Sequence, residues 1–439
     1  MGRLKFVPIL LLSIFALTYA CSSDEEKKVS YLEKGTAYFE KGEYKSAELE
    51  FKNALQNDPQ YIEAYTKLGE TQLKLGNPQE AFRAYSMVAK LDPNNSDAQL
   101  KLGTFYLLGK KIKKAREKVD AVLSKEPKNI EALFLLASVL EMEKKFNEAS
   151  AVFEKIIELD GKQTRAYLQL SRVLAHEGKI SESEKILKQA IDIDPKAITP
   201  HLALFRFYIS NKAYARAEEE IKKSIDINPE NADLYIELGN FYFRQNKRDK
   251  AEAAYLKAID ADPKNIKPYM VIAGFYDITG RKDQTLSMYK KALDLQPENI
   301  RIKNSIARFY VKNKRVDDAE KYITKILKER PQYFPTRMLK GELLVYQHKF
   351  DEAVLLFDQL IKEEPKLARS YYFKGLAHLG KGENKMAKTA LGKAVELNPK
   401  YIKAKLLLAK IYMREHDYSM AQKKARRFLK LHPKITMQN

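Results

Sequence analysis

The stretch that decides the fold is ADLYIELGNFYFRQNKRDKAEAAYLKAIDADPKN, residues 232–265. It places small residues at Gly239 and Ala251, a large aromatic residue at Tyr255 and a proline near its end, at Pro263. Because proline lacks an N–H and fixes φ, Pro263 marks a helix end. Small and large apolar residues at helical spacing indicate two closely packed helices. The stretch therefore predicts a helix–turn–helix repeat of 34 residues.

The same pattern recurs along the chain without insertions. The eighth position of the repeat is small in every copy except at Phe205, and the twentieth is Ala or Ser except at Thr285. Gly161 occupies the one slot that lacks proline. A fixed period in this range is typical of a stacked array, in which each repeat packs on its neighbours. Twelve repeats are predicted, starting at residues 28, 62, 96, 130, 164, 198, 232, 266, 300, 334, 368 and 402.

This pattern resembles the tetratricopeptide repeat (TPR) over residues 28–435, followed by a short tail at 436–439. The resemblance implies an all-α fold, a right-handed α-solenoid of twelve TPR helix-turn-helix repeats whose first helices line a concave groove. Arrays of this kind hold partners on extended concave surfaces. The sequence therefore predicts a scaffold for protein–protein interaction rather than an enzyme.

The beginning of the chain predicts export. Arg3 and Lys5 precede the apolar run 6–20, which as a helix is about 22 Å long and too short to cross a bilayer comfortably. A basic start, a short apolar segment and a small residue before the cleavage point indicate a signal peptide, residues 1–20. Cys21, the single cysteine, lies directly at that point.

This arrangement resembles a bacterial lipoprotein signal, which implies that Cys21 carries the lipid and that residues 21–27 are a polar tether. The alternative is an ordinary signal peptide whose cysteine is incidental. Ser22 resembles the pattern of lipoproteins sent to the outer membrane. The predicted location is the outer membrane, facing the periplasm, with the inner membrane as the alternative.

Positive charge is concentrated in the second half of the chain. The net charge is +21. Residues 28–197 contain 28 Lys and Arg and 26 Asp and Glu, whereas residues 198–439 contain 48 and 29. Such asymmetry suggests an acidic partner for the second half.

The TPR resemblance implies that the second, fifth, ninth, twelfth and thirteenth positions of a repeat face the groove. Early repeats carry acidic residues there: Glu63, Glu70, Asp97, Glu131 and Glu141. Arginine can hold a carboxylate with two hydrogen bonds, so the later positions predict a groove for an acidic peptide or an anionic glycan. The alternative is that they are merely solvated. The candidate groove residues are Arg165, Arg172, Arg206, Asn240, Arg244, Lys267, Arg301, Asn304, Arg308, Lys312, Arg369, Lys403, Lys410 and Arg414.

No residue pattern predicts catalysis, a metal or a cofactor. The six histidines are scattered over different repeats and form no His-Glu-x-x-His pair, and the cysteine has no histidine cluster around it. No Gly-rich phosphate loop or Gly-x-Ser-x-Gly elbow occurs. Nucleic acid would be attracted by the charge, but an exported protein rarely meets it.

Two functions remain as hypotheses. The first is a lipid-anchored periplasmic scaffold that recruits proteins of an envelope assembly or export machine. The layout resembles that of TPR lipoproteins from exopolysaccharide systems, which favours polysaccharide export or pilus assembly. The second is direct binding and guidance of an anionic polysaccharide by the basic second half.

Overall fold

The computed structural model describes residues 10–416 and residue 420, with side chains for residues 25–416 and 420. Residues 1–9, the tail at 436–439 and most of the second helix of repeat twelve lie outside the described residues. The chain divides into two compact units, Met1–Ile227 and Asn228–Asn439, here called the amino-terminal and carboxy-terminal units.

The amino-terminal unit is a succession of paired α-helices. Each helix packs on the next one in sequence. Its helices are α1 (Leu10–Glu40), α2 (Tyr44–Asn57), α3 (Ile62–Lys74), α4 (Pro78–Leu91), α5 (Ser96–Leu108), α6 (Ile112–Leu123), α7 (Ile130–Met142), α8 (Phe146–Leu159), α9 (Thr164–His176), α10 (Ile180–Ile193), α11 (Ile198–Ser210) and α12 (Tyr214–Ile227).

The carboxy-terminal unit has the same organisation. Across the described residues of both units every regular element is an α-helix, which confirms the all-α solenoid class. Its helices are α13 (Ala232–Arg244), α14 (Arg248–Ala261), α15 (Ile266–Ile278), α16 (Lys282–Leu295), α17 (Ile300–Lys312), α18 (Val316–Glu329), α19 (Phe334–Tyr346), α20 (Phe350–Glu363), α21 (Ala368–Gly380), α22 (Asn384–Leu397) and α23 (Ile402–Arg414).

The helices follow the 34-residue register. From α3 onward, each first helix begins at the residue that opens a repeat, from Ile62 to Ile402. Repeat one differs, because α1 begins at Leu10 and continues through residues 21–27 into the repeat. Among the described helices, α1 included, none is both long enough and apolar enough to cross a bilayer.

Close contact between the two helices of a repeat explains the small residue at the eighth position. A Cβ atom on Gly341 would lie 2.6 Å from Cζ of Phe357, the ring at the twenty-fourth position of the same repeat. Repeat six reverses the sizes: Phe205 is buried, and Ile221 stands where other repeats carry a ring. The volume between the two helices is therefore shared between these two positions.

Each first helix ends in the same left-handed turn. In repeat one, Gly42 N–H donates to Phe39 O (3.0 Å) and Glu43 N–H donates to Tyr38 O (2.9 Å). This is the Schellman pattern, which satisfies the last carbonyls of the helix. The equivalent residue has positive φ in all the repeats, whether or not it is glycine: Gly42, Gly76, Lys110, Lys144, Gly178, Lys212, Asn246, Gly280, Lys314, His348, Gly382 and His416.

A polar side chain at the fourth position often closes the connection between repeats. Tyr269 OH donates to Pro263 O at 3.1 Å, and Gln99 Nε2 donates to Pro93 O at 2.9 Å. The carbonyl of the proline slot lies outside the helices, and these hydrogen bonds give it a partner.

The first helices form the inner side of each unit. The alternate helices with the more extensive contacts are all first helices: α1 with α3, α5 with α7, and α9 with α11 in the amino-terminal unit, and α13 with α15, α17 with α19, and α19 with α21 in the carboxy-terminal unit. Closer approach of first helices places them on the concave side of a curved stack. The surface they form is called the inner face of that unit.

A pair of glycine substitutions tests the close helix contact. A Cβ on Gly239 would lie 2.5 Å from Cδ1 of Tyr255, so Gly239→Ala should destabilise the protein by about 1–3 kcal/mol. Gly274 has no atom within 4 Å of an added Cβ, and Gly274→Ala should stabilise α15 by about 0.5–1 kcal/mol. Hydrogen exchange of the amides in α13 and α15 measures both effects. Equal protection in the two variants would contradict the contact.

Candidate functional site

The inner face of the amino-terminal unit contains a cavity of about 330 Å³ between α5, α7 and α9. Its floor is apolar and includes Leu100 and Phe134, and its rim carries Asp97 and Glu131. Arg165 lies with its guanidinium carbon 4.0 Å from the Phe134 ring centroid and pairs with Glu131 at 3.3 Å. The Arg165 cation is therefore engaged by a carboxylate and an aromatic ring of the preceding first helix.

Arg172 is engaged in a similar way. Its Nη2 pairs with Glu141 Oε2 at 2.6 Å and also donates to Gln169 Oε1 at 2.8 Å. Arg206, the third amino-terminal candidate, is exposed on α11. The acidic residues predicted for the early groove thus act partly as partners of its arginines.

Three basic candidates of the carboxy-terminal unit form ion pairs with the preceding first helix. Lys267 Nζ lies 2.8 Å from Asp233 Oδ1, and Lys312 Nζ lies 2.8 Å from Asp277 Oδ1. Both lysines remain more than half exposed, so these pairs contribute about 1 kcal/mol or less. They connect successive first helices along the inner face and reduce its positive charge.

The two candidate asparagines are engaged within the fold. Asn240 Oδ1 accepts a hydrogen bond from Tyr255 OH at 2.9 Å. Asn304 is buried, and its Oδ1 accepts from Thr336 Oγ1 at 2.7 Å. The groove role predicted for Asn304 therefore does not fit its buried position, because its oxygen already holds α17 to α19.

The remaining candidates are exposed on first helices of the carboxy-terminal unit. None of them forms an ion pair with a residue that the structure describes. Unpaired guanidinium and ammonium groups are the ones best able to attract an anion. They are Arg244, Arg301, Arg308, Lys403, Lys410 and Arg414.

A buried carboxylate lies among these cations. Glu342 is 5% exposed at its side chain, and its Oε1 lies 2.7 Å from Nη2 of Arg369, whose side chain is 44% exposed. Burial raises the pKa of the Glu342 carboxyl above its ordinary value, and the hydrogen bond and charge of Arg369 offset only part of that shift. The charges of Arg308 and Lys403 act on the same carboxyl. Three cations from three first helices therefore surround one buried acid.

Aromatic rings lie next to this cluster. The Tyr372 and Tyr401 rings are 5.0 Å apart between centroids, and Tyr346 is 42% exposed. Burial raises the pKa of Tyr401 to about 12, so its hydroxyl is protonated at neutral pH. Cations beside neutral phenol groups can hold anionic or planar groups of a partner, but this arrangement offers no nucleophile or general base.

Sequence analysis missed Glu342 and the carboxylates that pair with the candidate cations. A signal for the pairs exists, since Asp233 and Lys267 occupy the second position of successive repeats. Burial of Glu342 has no such signal, because the ninth position is exposed in other repeats, as at Arg172.

Family models place the chain among the TPR proteins. A model described as the cytochrome c-type biogenesis protein H TPR domain matches residues 26–167. Tetratricopeptide-repeat models match residues 140–204, 208–273, 279–343 and 368–401. The chain is a tetratricopeptide-repeat protein, and its fold is that of a protein–protein interaction scaffold.

Solved structures with some likeness are also repeat proteins or their complexes. Yeast Tom70 is 16% identical and covers 94% of this chain and 100% of its own, with a TM-score of 0.43. A tetratricopeptide repeat protein from Parabacteroides merdae is 24% identical over 54% of this chain and 94% of its own, with a TM-score of 0.46. Scores this low carry no argument about function. Among curated proteins, no relative matches significantly.

The pairing of Arg369 with Glu342 is testable. Arg369→Ala leaves a buried carboxylate without its cation and should destabilise α19 by about 1–3 kcal/mol at pH 7.5. A carboxyl with a raised folded-state pKa favours folding when protonated, and this contribution is lost as pH rises through that raised value. The deficit should therefore shrink towards pH 5, as measured by hydrogen exchange of α19.

The matched control is the double variant Arg369→Ala/Glu342→Gln. An amide carries no charge to leave unpaired, so this variant should be more stable than Arg369→Ala and show no dependence on pH between 5 and 7.5. Equal stability of the two variants at pH 7.5 would refute the coupling.

Proposed function

We propose that this TPR protein is a non-catalytic scaffold anchored by lipid in the bacterial envelope. Its inner faces recruit components of an assembly or export machine, of the polysaccharide-export or pilus type. The lipid is carried by Cys21, and the repeats face the periplasm from the outer membrane. The observation that carries the proposal is the combination of a short signal-like leader, its cysteine and an unbroken repeat array.

The leader supports the anchor. A basic start, the apolar run 6–20 and Ala20 before Cys21 are the features of an exported, lipidated chain. One lipid chain gives only marginal membrane binding, so stable anchoring requires several acyl chains on the same residue or a second signal.

The family match supports an assembly role. Residues 26–167 match a TPR domain named for cytochrome c-type biogenesis, a process that builds a protein from parts. The inner faces support protein partners of two kinds, because the amino-terminal face has an apolar cavity with an acidic rim and the carboxy-terminal face is basic.

A second candidate function is binding of an anionic polysaccharide. The exposed Arg301 and Arg308 lie on α17, and Arg308 acts on the same buried carboxyl as Arg369 and Lys403. Together with the nearby tyrosines, these cations favour carboxylate or sulfate groups on planar or ring-shaped units.

Replacing the cysteine tests the anchor. With Cys21→Ala, an envelope fraction from expressing cells should lose the protein from the detergent phase of a Triton X-114 separation, and labelled palmitate should no longer be incorporated. A variant at Ser22, Ser22→Ala, keeps the lipid and serves as the control. Retention of Cys21→Ala in the detergent phase would exclude lipidation at this residue.

Charge reversal tests the basic inner face. Arg301→Glu/Arg308→Glu should weaken binding of alginate and of polyglutamate at least tenfold, a loss of about 1.4 kcal/mol, as measured by isothermal titration calorimetry in low salt. Lys290→Glu/Lys291→Glu on the exposed side of α16 changes the charge equally and should bind as the wild type does.

The two probes separate the candidate functions. Binding of alginate that weakens steeply with salt, without binding of polyglutamate, would favour the polysaccharide. Unchanged binding of both probes by Arg301→Glu/Arg308→Glu would refute a role for this face.

A further inference from the structure

A second surface of the amino-terminal unit lies where the start of α4 meets the end of α5. It contains a cavity of about 480 Å³, a size typical of ligand pockets. The walls are mostly aromatic: Phe82 is 5.8 Å from Phe105 and 5.6 Å from Tyr106 between ring centroids, with both pairs edge-to-face. Pro78, Gln79 and Lys111 complete the lining.

This junction departs from a rule that other junctions obey. Elsewhere the twenty-first position is a glutamate that accepts from the tyrosine of the next repeat. Glu184 accepts from Tyr208 OH at 2.9 Å, and Glu252 Oε1 accepts from the equivalent tyrosine at 2.8 Å. An arginine closes each of these junctions, as Arg216 does on Glu184 at 3.0 Å.

Phe82 occupies that glutamate position in repeat two. The acceptor for the tyrosine is therefore replaced by a ring, and Tyr106 OH makes no hydrogen bond to a described residue. The result is an open aromatic cavity where the other junctions are closed by a polar network.

Unpaired lysines surround the cavity. Lys110, Lys111, Lys113 and Lys114 are all exposed, and none forms an ion pair with a residue that the structure describes. Lys114 Nζ lies 5.6 Å from the Tyr106 ring centroid, so the positive charge borders the aromatic walls. Four like charges within five residues, in a unit of nearly balanced charge, make a local attraction for acidic groups.

An apolar side chain is exposed beside the same lysines. Leu108 is 78% exposed, at the end of α5. The Lys110 turn that follows has φ of 57°, a conformation that disfavours a residue with a Cβ atom.

We propose that this cavity binds an acidic segment of a partner protein, which inserts one aromatic side chain between Phe82 and Tyr106 and places carboxylates beside Lys111 and Lys114. Aromatic anchors in desolvated pockets, surrounded by charged rims, are the usual centres of protein interfaces. A sugar ring fits poorly, because the walls offer its hydroxyls little beyond the Tyr106 hydroxyl and the Gln79 amide. A flat lipid surface would leave the cavity unfilled.

The proposal goes beyond the inner faces, and its test does not depend on the lipid anchor. The probes are two fluorescein-labelled peptides, Asp-Glu-Trp-Glu-Asp and Asp-Glu-Gly-Glu-Asp, titrated with the full-length chain and followed by fluorescence anisotropy. The tryptophan peptide should bind at least tenfold more tightly than the glycine peptide.

Phe82→Glu is the decisive variant, because the chain itself carries glutamate at this repeat position at Glu184 and Glu252, so the helix pair should still fold. This variant should lose the preference for tryptophan. Lys111→Glu/Lys114→Glu should weaken binding of both peptides at least tenfold. The control is Lys247→Glu/Lys250→Glu, the same positions of repeat seven, where Lys250 lies 5.5 Å from the Tyr242 ring; binding should change less than twofold.

Three results would overturn the proposal. The first is equal affinity for the two peptides. The second is equal loss of binding in the repeat-seven control. The third is tight binding to phosphatidylglycerol vesicles that Lys111→Glu/Lys114→Glu abolishes, with no preference for the tryptophan peptide, which would assign this surface to a membrane.

Discussion

Close approach of the two helices within each repeat is the constraint on which the rest of the structure depends. A side chain as small as alanine at Gly341 would collide with the Phe357 ring, so the eighth and twenty-fourth positions must be chosen together. Repeat six satisfies the same requirement in reverse, with Phe205 and Ile221. Because these residues fix how each helix pair packs, the remaining first-helix positions are left free to vary. The surfaces that could bind partners are built from those positions.

Most of the fold could be predicted from the sequence because the packing of a repeat array is local. A repeat contacts mainly its neighbours, so one 34-residue pattern specifies α3 to α23 and their starting residues. The left-handed turns could be predicted only in part. Glycine announces the turn at Gly42, but Lys110 and His348 adopt the same positive φ without any signal of their own. There the helix ends impose the conformation on residues that do not prefer it.

The candidate site was predictable in position and not in its electrostatic state. A family pattern places Lys267, Arg301 and Arg308 on the inner face, but whether such a cation is paired depends on the residue 34 or more positions upstream. Lys267 meets Asp233, whereas Arg301 meets no carboxylate among the described residues. Burial is harder still, since Glu342 and Asn304 are enclosed by the particular side chains of adjacent helices. These properties arise from pairs of repeats, which no single repeat sequence reveals.

The same locality explains how one junction can differ without disturbing the others. Each boundary between repeats is stabilised by its own side chains, such as Tyr208 with Glu184, so replacing glutamate by Phe82 alters only the α4–α5 boundary. In a globular core such a change would propagate through many contacts. In a stacked array it leaves an aromatic cavity at one edge and an intact register on both sides. Departures from the repeat pattern, rather than the pattern itself, are therefore where partner specificity can be built.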